Sequence, residues 1–193
     1  MAEKKLNTVR INAGDWRSRL LKFPDATGLR PTPERVRQTV FNWLGQDLTG
    51  MNCLDLFAGT GVMGFEALSR GAVSATLVEK AAPAYKALLE NKSLLKAEHA
   101  HIVHQDALQF LSANMQSSNP QKFHLIFLDP PYHQQWLPKV LPQLATHLHQ
   151  EGWVYAEAEY GLETMPELMH DWQLIKQSKA GNVFYHLLKS KNV

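Results

Sequence analysis

Hydrophobic and polar positions follow a repeating pattern along most of this chain. From residue 52 onward, apolar runs of strand length are each followed by a longer stretch in which apolar residues recur at helical spacing. The runs predict strands at residues 52–57, 74–80, 100–107, 123–129 and 152–159, and the stretches predict helices at 64–71, 83–96, 108–115 and 137–149. Successive β-α-β units predict an α/β fold, a mostly parallel sheet with helices on both faces.

The N-terminal region has a different pattern. Residues 8–23 are typical of two short strands around Gly14-Asp15, a turn signal that predicts a β-hairpin. A helix is predicted after it, with Thr32 as the N-cap and Pro33 in the first helical position.

The C-terminal region also predicts a hairpin. Its two apolar runs lie within residues 172–190 and meet at Gly181-Asn182. Such a hairpin can add an antiparallel strand to the edge of a parallel sheet.

Composition narrows the class of protein. The chain has 193 residues, 45% of them hydrophobic, which is enough for a single domain with a sizeable core. Its first residues lack the apolar run of a signal peptide, and no stretch approaches the ~18 apolar residues of a membrane span. The single cysteine, Cys53, excludes an internal disulfide, and we expect it to be buried in the first strand of the sheet. We therefore expect a cytoplasmic protein without membrane contact.

Positive charge is concentrated at the N-terminal end. Residues 1–44 carry nine basic and four acidic side chains, whereas the remainder is mildly acidic. A basic arm on an acidic body indicates a polyanionic partner, although a solvated charged surface would give the same composition. Arg17, Arg19 and Arg30 are our candidates for contacts with phosphates.

Three histidines lie close together at residues 99–104. Neither a cysteine nor a second group of metal ligands accompanies them, so we interpret them as solvent-exposed residues at the start of a strand. We expect no metal site in this protein.

A glycine-rich loop follows the first strand of the predicted sheet. Gly59, Gly61 and Gly64 form a G-x-G-x-x-G pattern between a strand and a helix, where the backbone can approach a ligand closely. A tight turn without a ligand would also explain the glycines. Glu79 ends the next strand, where a carboxylate can accept hydrogen bonds from ribose hydroxyls, and this context favours a nucleoside cofactor.

Electrostatics indicate which nucleoside cofactor would fit. Asp55 lies just before the loop, and a carboxylate there would repel the pyrophosphate of a dinucleotide. S-adenosylmethionine has no phosphate and carries an ammonium and a sulfonium group, so it is the cofactor we expect. Asp106 ends the third strand and could accept a hydrogen bond from the adenine amine, cap the following helix, or do both.

The sequence Asp129-Pro130-Pro131-Tyr132 ends the fourth strand. The prolines fix the backbone direction and remove two donors, so acceptors remain: the Asp129 carboxylate and the Pro130 carbonyl. Two acceptors can orient the exocyclic amine of a base toward a methyl donor, and the Tyr132 ring can stack on that base. A rigid loop that merely ends a strand is the alternative.

The order of these motifs resembles a known group of enzymes. "LDLFAGTG", an acid after the second strand and "DPPY" after the fourth are similar to class I S-adenosylmethionine-dependent amino-methyltransferases. "RINAGDWRSRLL" followed by "GLRPTPERVRQTVFNWL" resembles the RsmD family of bacterial 16S rRNA guanine-N2 methyltransferases, over nearly the whole chain.

The resemblance carries several expectations. It implies a Rossmann-like fold with a seven-stranded sheet and an antiparallel C-terminal strand, a basic extension at residues 1–31 and a catalytic domain at residues 32–193. It implies a monomer that methylates the N2 amine of guanine 966 of 16S rRNA, within the 30S subunit or an assembly intermediate. The implied cofactor-binding residues are Thr32, Arg35, Asp55, Phe57, Ala58, Gly59, Thr60, Gly61, Glu79, Lys80, Asp106 and Ala107.

Two other functions are compatible with parts of the sequence. The same chemistry could act on DNA adenine or on a protein glutamine amide, although the glutamine enzymes favour Asn at the position of Asp129. A nonenzymatic RNA-binding assembly factor could also retain this fold, but the intact glycine loop and DPPY motif argue against that function.

Overall fold

The computed structural model of the protein describes residues 6–26 and 28–192. Lys4 and Lys5 of the predicted basic arm lie outside the described residues. The strands are β1 (Leu6–Arg10), β2 (Leu20–Pro24), β3 (Asn52–Asp55), β4 (Ser74–Glu79), β5 (Ala100–His104), β6 (Phe123–Leu128), β7 (Leu148–Ala158), β8 (Trp172–Ala180) and β9 (Val183–Ser190). The helices are α1 (Glu34–Trp43), α2 (Val62–Ser69), α3 (Ala82–Leu95), α4 (Ala107–Gln116) and α5 (Trp136–Leu144).

A seven-stranded sheet organises the fold, in the order β5-β4-β3-β6-β7-β9-β8. The first five of these strands are parallel, and β9 runs antiparallel to both β7 and β8. The predicted Rossmann-like fold and its antiparallel C-terminal hairpin are therefore confirmed. The strand order reverses at β3 and β6, so the crevice at their carboxyl ends is where ligands bind in open sheets of this kind.

Apolar side chains cover both faces of the sheet. One face packs against α1, α2 and α3 through residues such as Phe41, Phe65 and Leu88, and the other packs against α4 and α5 through Leu111 and Leu141. Burial on both sides explains why the central strands read as continuous apolar runs. No helix among the described residues is both long and apolar enough to cross a membrane.

Cys53 is fully buried in β3, as predicted. Burial and the nearby charge of Asp55 raise the pKa of its thiol to about 12. The thiol therefore stays protonated at neutral pH and contributes to packing rather than to chemistry.

The N-terminal hairpin is present, but its connection differs from the prediction. β1 and β2 pair antiparallel and are joined by residues 11–19 rather than by a tight turn at Gly14-Asp15. The connection packs against the end of α2: the Asp15 amide donates to the Ser69 carbonyl at 2.8 Å. A Cβ on Gly14 would lie only 1.6 Å from that oxygen. This tertiary contact, which no local turn signal encodes, sets the shape of the loop.

A single amide side chain fixes the hairpin on α3. The buried Asn91 side chain accepts a hydrogen bond from the Lys22 amide at 2.9 Å and donates one to the Lys22 carbonyl at 2.8 Å. Asn91 thus satisfies the free edge of β2 at that residue, as a neighbouring strand would.

The start of α1 also differs from the prediction. Pro33, not Thr32, is the N-cap residue, and no side chain caps the helix. The Thr32 side chain is buried and donates instead to Glu157 on β7. The partner of the Thr32 hydroxyl is therefore a carboxylate on a distant strand, and not a backbone amide in the first turn of α1 as a helix cap would require.

A buried charged cluster connects α1, α2 and the hairpin. Glu66 is fully buried between two arginines, 3.3 Å from Nε of Arg37 and 2.7 Å from Nη2 of Arg70. Arg37 also donates to the Arg10 carbonyl on β1 and to the Thr32 carbonyl before α1. One buried guanidinium therefore holds three segments together.

Candidate active site

Four acidic side chains lie at the carboxyl ends of neighbouring strands. Asp55 and Glu79 end β3 and β4, Asp129 directly follows β6, and Glu157 is the next-to-last residue of β7. The strand registers place all four on the face covered by α1, α2 and α3. Among the described residues, none of the four forms an ion pair with a lysine or arginine. The crevice at the switch point therefore concentrates acidic groups that no lysine or arginine in the described part of the chain neutralises.

The glycine loop connects β3 to α2 at the edge of this crevice. Gly59 and Gly61 have φ values of 51° and 75°, a region that side chains with a Cβ rarely adopt. Glu79 fixes the loop, because its carboxylate accepts from the Gly59 amide at 2.8 Å and from the Ala81 amide at 2.6 Å. Each oxygen retains a lone pair that can accept from a ligand hydroxyl.

The other predicted residues of this segment support the loop. Ala58 and Thr60 are buried, and Phe57 is half-buried with its ring edge-on to Trp136 at 5.2 Å between centroids. These three side chains therefore shape the loop, and what approaches a ligand is its backbone.

Asp55 lies beneath the loop. Its carboxylate is almost fully buried and accepts a hydrogen bond from the Gly64 amide at 3.1 Å. Burial raises the pKa of Asp55 to about 7, the Gly64 hydrogen bond opposes the shift, and the charge of Glu79 adds to it. The group therefore titrates near neutral pH, and a cation in the crevice would favour its ionised form.

Asp106 is confirmed as the N-cap of α4. One carboxylate oxygen accepts from the Leu108 amide at 3.0 Å, and the other lies 3.1 Å from the Lys80 ammonium. Ala107 is buried in the first turn of the helix. The predicted adenine contact by Asp106 stays a prediction that is compatible with this capping role.

The DPPY motif directly follows β6 and faces the same crevice. Asp129 is close enough to the acids of β3 and β7 that their charges, together with the larger effect of burial, raise its pKa well above the usual value. Pro130 is buried, whereas Pro131 and Tyr132 are exposed at the surface. The Tyr132 hydroxyl donates to Glu157 at 3.3 Å.

Sequence reasoning missed Glu157. It is only 3% exposed and accepts hydrogen bonds from Tyr155 at 2.6 Å, from Tyr132 and from Thr32. In "YAEAEY" the acids alternate with apolar residues, a pattern that suggests a solvated strand face. The sequence did contain one signal for Glu157: the acid lies near the carboxyl end of a predicted strand, and therefore at the same edge of the sheet as the acid of the DPPY motif.

The residue after the motif also has a defined position. The His133 ring lies 2.6 Å from a carboxylate oxygen of Glu159, and the His133 amide donates to the other oxygen at 2.9 Å. His133 adopts a left-handed backbone with φ of 61°. Two consecutive residues of this loop, Tyr132 and His133, are thus attached to Glu157 near the end of β7 and to Glu159 just after it.

Two of the predicted RNA-binding arginines lie far from this crevice. Arg17 belongs to the loop that packs on the last residue of α2, and Arg19 donates to the Leu94 carbonyl near the end of α3 at 3.1 Å. Both helices begin near the crevice and run away from it, α3 for about 20 Å. Arg17 and Arg19 therefore lie at the opposite edge of the molecule.

The third predicted RNA-binding arginine, Arg30, and the predicted cofactor-binding Arg35 lie closer to the crevice. Arg30 is exposed and follows Leu29, whose side chain would be 3.1 Å from a Cβ placed on Gly59. Arg35 is exposed in the first turn of α1, close to Thr32 and its contact with Glu157.

These residues fit a cationic nucleoside. The glycine loop offers backbone, Glu79 offers acceptors for hydroxyl groups, and the unpaired carboxylates favour a ligand with positive charge. A pyrophosphate would add negative charge to a crevice that already has several acids. The chemistry of the donor set therefore fits S-adenosylmethionine better than a dinucleotide.

Comparisons with known proteins agree with this geometry. The family described as "Conserved hypothetical protein 95" matches residues 9–189. "Ribosomal RNA small subunit methyltransferase D" from Escherichia coli strain K12 is 40% identical over 183 residues, which are 93% of this chain and 88% of that protein. The protein of the same name from Haemophilus influenzae is 38% identical over 187 residues, 94% of each chain.

Solved structures share the fold. The structure described as "Putative methyltransferase yhhF from Escherichia coli" superimposes with a TM-score of 0.81 at 35% identity, covering 95% of this chain and 98% of that one. A structure described as "A putative sam-dependent methyltransferase from Streptococcus mutans" has a TM-score of 0.74 at 13% identity and covers 97% of this chain and 56% of that one. At that identity, the second likeness shows the fold alone.

Proposed function

Because the chain belongs to the RsmD family of rRNA methyltransferases, we propose that it transfers a methyl group from S-adenosylmethionine to the exocyclic N2 amine of a guanine in 16S rRNA. The substrate is the 30S subunit or one of its assembly intermediates. The observation that carries this proposal is the position of the DPPY motif, which follows the strand next to the one that leads into the glycine loop.

The bound cofactor supplies an electrophilic methyl group on a sulfonium. Glu79 holds the ribose hydroxyls with the acceptor capacity that remains beside its two backbone hydrogen bonds. Asp106 accepts from the adenine amine, and Arg35 at the start of α1 pairs with the carboxylate of the methionine moiety. The backbone of Gly59 and Gly61 admits the cofactor into the crevice.

The DPPY motif presents the amine. The Asp129 carboxylate and the Pro130 carbonyl each accept one N–H of the amine, which directs its lone pair toward the methyl group. The Tyr132 ring stacks on the base, whose unpaired edge is then available for hydrogen bonds. Both acceptors would also stabilise the positive charge that develops on nitrogen as the methyl–sulfur bond breaks and a neutral thioether leaves, and the Asp129 carboxylate would take the proton that the methylated nitrogen loses.

RNA binding involves the basic residues of the N-terminal region. Arg30 lies at the edge of the crevice and contacts phosphates near the target, whereas Arg17 and Arg19 contact phosphates at the far edge. An rRNA substrate is large enough to span both sites. We retain the division at residue 32 as a division between an RNA-binding extension and a catalytic domain.

A labelled transfer assay tests the proposed function. The protein is incubated with methyl-labelled S-adenosylmethionine and, in parallel, with 30S particles from a strain that lacks its gene, with free 16S rRNA and with duplex DNA. We expect label in the ribosomal RNA, at the N2 position of one guanine after nuclease digestion and mass analysis. Label only in DNA, or on an adenine, would contradict the proposal.

Replacing the motif acid tests its role. We expect Asp129→Ala to abolish transfer, because the amine loses the acceptor that orients it, while calorimetry shows cofactor affinity changed by less than about threefold. Glu98→Ala, which removes an exposed acid between α3 and β5, is the control and should retain full activity. Lost cofactor affinity with normal turnover at saturation would contradict the role given to Asp129.

A further inference from the structure

Glu157 lies directly beside the acid of the DPPY motif. The residues that precede these two acids, Leu128 and Ala156, are the last pair in the register of β6 and β7, so Asp129, the first residue after β6, comes opposite Glu157 of β7. Strands in a sheet are about 4.8 Å apart, and equivalent positions point to the same face. Two carboxyl groups therefore stand side by side where the target base is proposed to enter.

The two oxygens of Glu157 are held differently. Oε1 accepts a short hydrogen bond of 2.6 Å from Tyr155, whose side chain is fully buried. Oε2 accepts a long hydrogen bond of 3.3 Å from Tyr132, which is 37% exposed. Thr32 donates a further hydrogen bond to the carboxylate. Oε2 is thus the oxygen with the weaker, more accessible partner.

Tyr132 can leave that oxygen without unfolding its surroundings. Its side chain is at the surface, and the proposed stacking on the target base requires the ring to turn toward the crevice opening. When the ring turns, its hydroxyl moves away from Oε2, and a buried acceptor is left that needs a new donor. In the ligand-free protein the tyrosine hydroxyl occupies the place of that donor.

The edge of guanine supplies the required donors. Its Watson–Crick edge carries a ring N1–H next to the exocyclic N2 amine, so two donor groups stand side by side. Adenine and cytosine carry an unprotonated ring nitrogen next to their amine, which would face a carboxylate lone pair. Uracil has a ring N–H but no amine to methylate. Two adjacent carboxylates therefore match guanine among the standard bases.

We propose that Glu157 is a specificity-determining residue, which accepts the N1–H of the target guanine while Asp129 accepts an N–H of its N2 amine. This inference rests on the proposed function and adds a reason why that function is directed to guanine. Burial raises the pKa of both acids. The charge of Glu157 adds to the shift at Asp129, whereas hydrogen bonds from Tyr155, Tyr132 and Thr32 oppose the shift at Glu157.

A base analogue tests the proposal. 2-Aminopurine keeps the exocyclic amine of guanine at the same position, but its N1 carries a lone pair instead of a hydrogen. It is placed at the target position of the rRNA by ligation, and kcat/KM is compared with that for the unmodified rRNA. We expect the wild-type protein to prefer guanine by about 10- to 100-fold, the range that one well-placed base contact provides.

Variants separate specificity from structure. In Glu157→Gln the amide can donate to the unprotonated N1, so we expect activity on guanine to fall and the preference to shrink to about threefold or less. Tyr155→Phe removes the hydrogen bond at Oε1 but keeps the carboxylate, and it should retain the wild-type preference whatever its overall rate. Cofactor affinity by calorimetry shows that each variant is folded.

Two results would overturn the proposal. One is a wild-type protein that methylates 2-aminopurine as well as guanine, a result that needs no variant to be folded. The other is a Glu157→Gln variant in which both rates fall in parallel and the preference is unchanged, as a purely structural role would give. If the wild-type protein fails to methylate guanine in rRNA at all, the proposed function itself is wrong, which is a distinct outcome.

Discussion

The titration of Asp55 predicts how cofactor affinity depends on pH. The Asp55 carboxyl lies under the glycine loop, and burial raises its pKa to about 7. If only the ionised form attracts the cationic cofactor, the competent fraction is about 9% at pH 6 and about 91% at pH 8. We therefore expect the association constant for S-adenosylmethionine to rise about tenfold between these pH values, since affinity scales with the competent fraction.

Asp55→Asn is the matched control, because its side-chain oxygen can still accept from the Gly64 amide. Calorimetry at pH 6, 7 and 8 is carried out on both proteins. Glu79, Asp129 and the amino group of the cofactor are present in both cases, so the difference between the two pH profiles reports the effect of Asp55 alone. The variant should bind more weakly at pH 8 and show a much flatter profile. An equal slope in both proteins, or a wild-type affinity that falls with pH, would refute this reasoning.

The same shift has a consequence for stability. The pKa of Asp55 in the folded protein is above the usual value near 4, so the folded state binds the proton more tightly than the unfolded state does. Its contribution to stability is therefore full below about pH 4 and is lost as pH rises through about 7. Urea unfolding of the ligand-free protein should show Asp55→Asn gaining stability over the wild type as pH rises from 5 to 8.

Two further predictions concern other parts of the molecule. Glu66→Gln leaves two buried guanidiniums without their counter-charge and should lower the free energy of unfolding by about 3–5 kcal/mol in urea titrations. The control Glu151→Gln, at an exposed ion pair, should lower it by less than about 1 kcal/mol. Equal losses in the two variants would refute the buried-charge explanation. Arg17→Ala combined with Arg19→Ala should weaken binding to 30S particles and reduce the dependence of the binding constant on salt, measured by filter binding between about 50 and 200 mM salt. If the slope of log binding constant against log salt concentration is unchanged, these residues do not contact phosphates.

The parts of the site that follow a local rule were predictable. The glycine loop is encoded by backbone conformations that glycine adopts readily, and the DPPY motif by the rigidity of proline. Asp106 could also be predicted as an N-cap, because its hydrogen bond to the Leu108 amide is local and spans only two residues. Periodicity likewise predicted the sheet, since each strand of its centre is buried on both faces.

The parts that depend on tertiary contacts were not predictable. Thr32 has the sequence signature of a helix cap, yet its hydroxyl contacts Glu157, which is 125 positions away along the chain. The Gly14 loop takes its shape from a contact with α2. Glu157 is in a strand whose alternation suggests solvent on one face, and only the register with β6 shows that this face is the crevice.

The buried cluster around Arg37 constrains how the N-terminal hairpin can move relative to the rest of the fold. Arg37 donates to the Arg10 carbonyl on β1 and to the Thr32 carbonyl, and the Thr32 hydroxyl in turn reaches Glu157. Separating the hairpin from the body would leave a buried guanidinium short of acceptors, at a cost of several kcal/mol. It would also expose Ile11, which is fully buried in the core shared with α1 and α2. The hairpin is therefore held rigidly against α1 and α2.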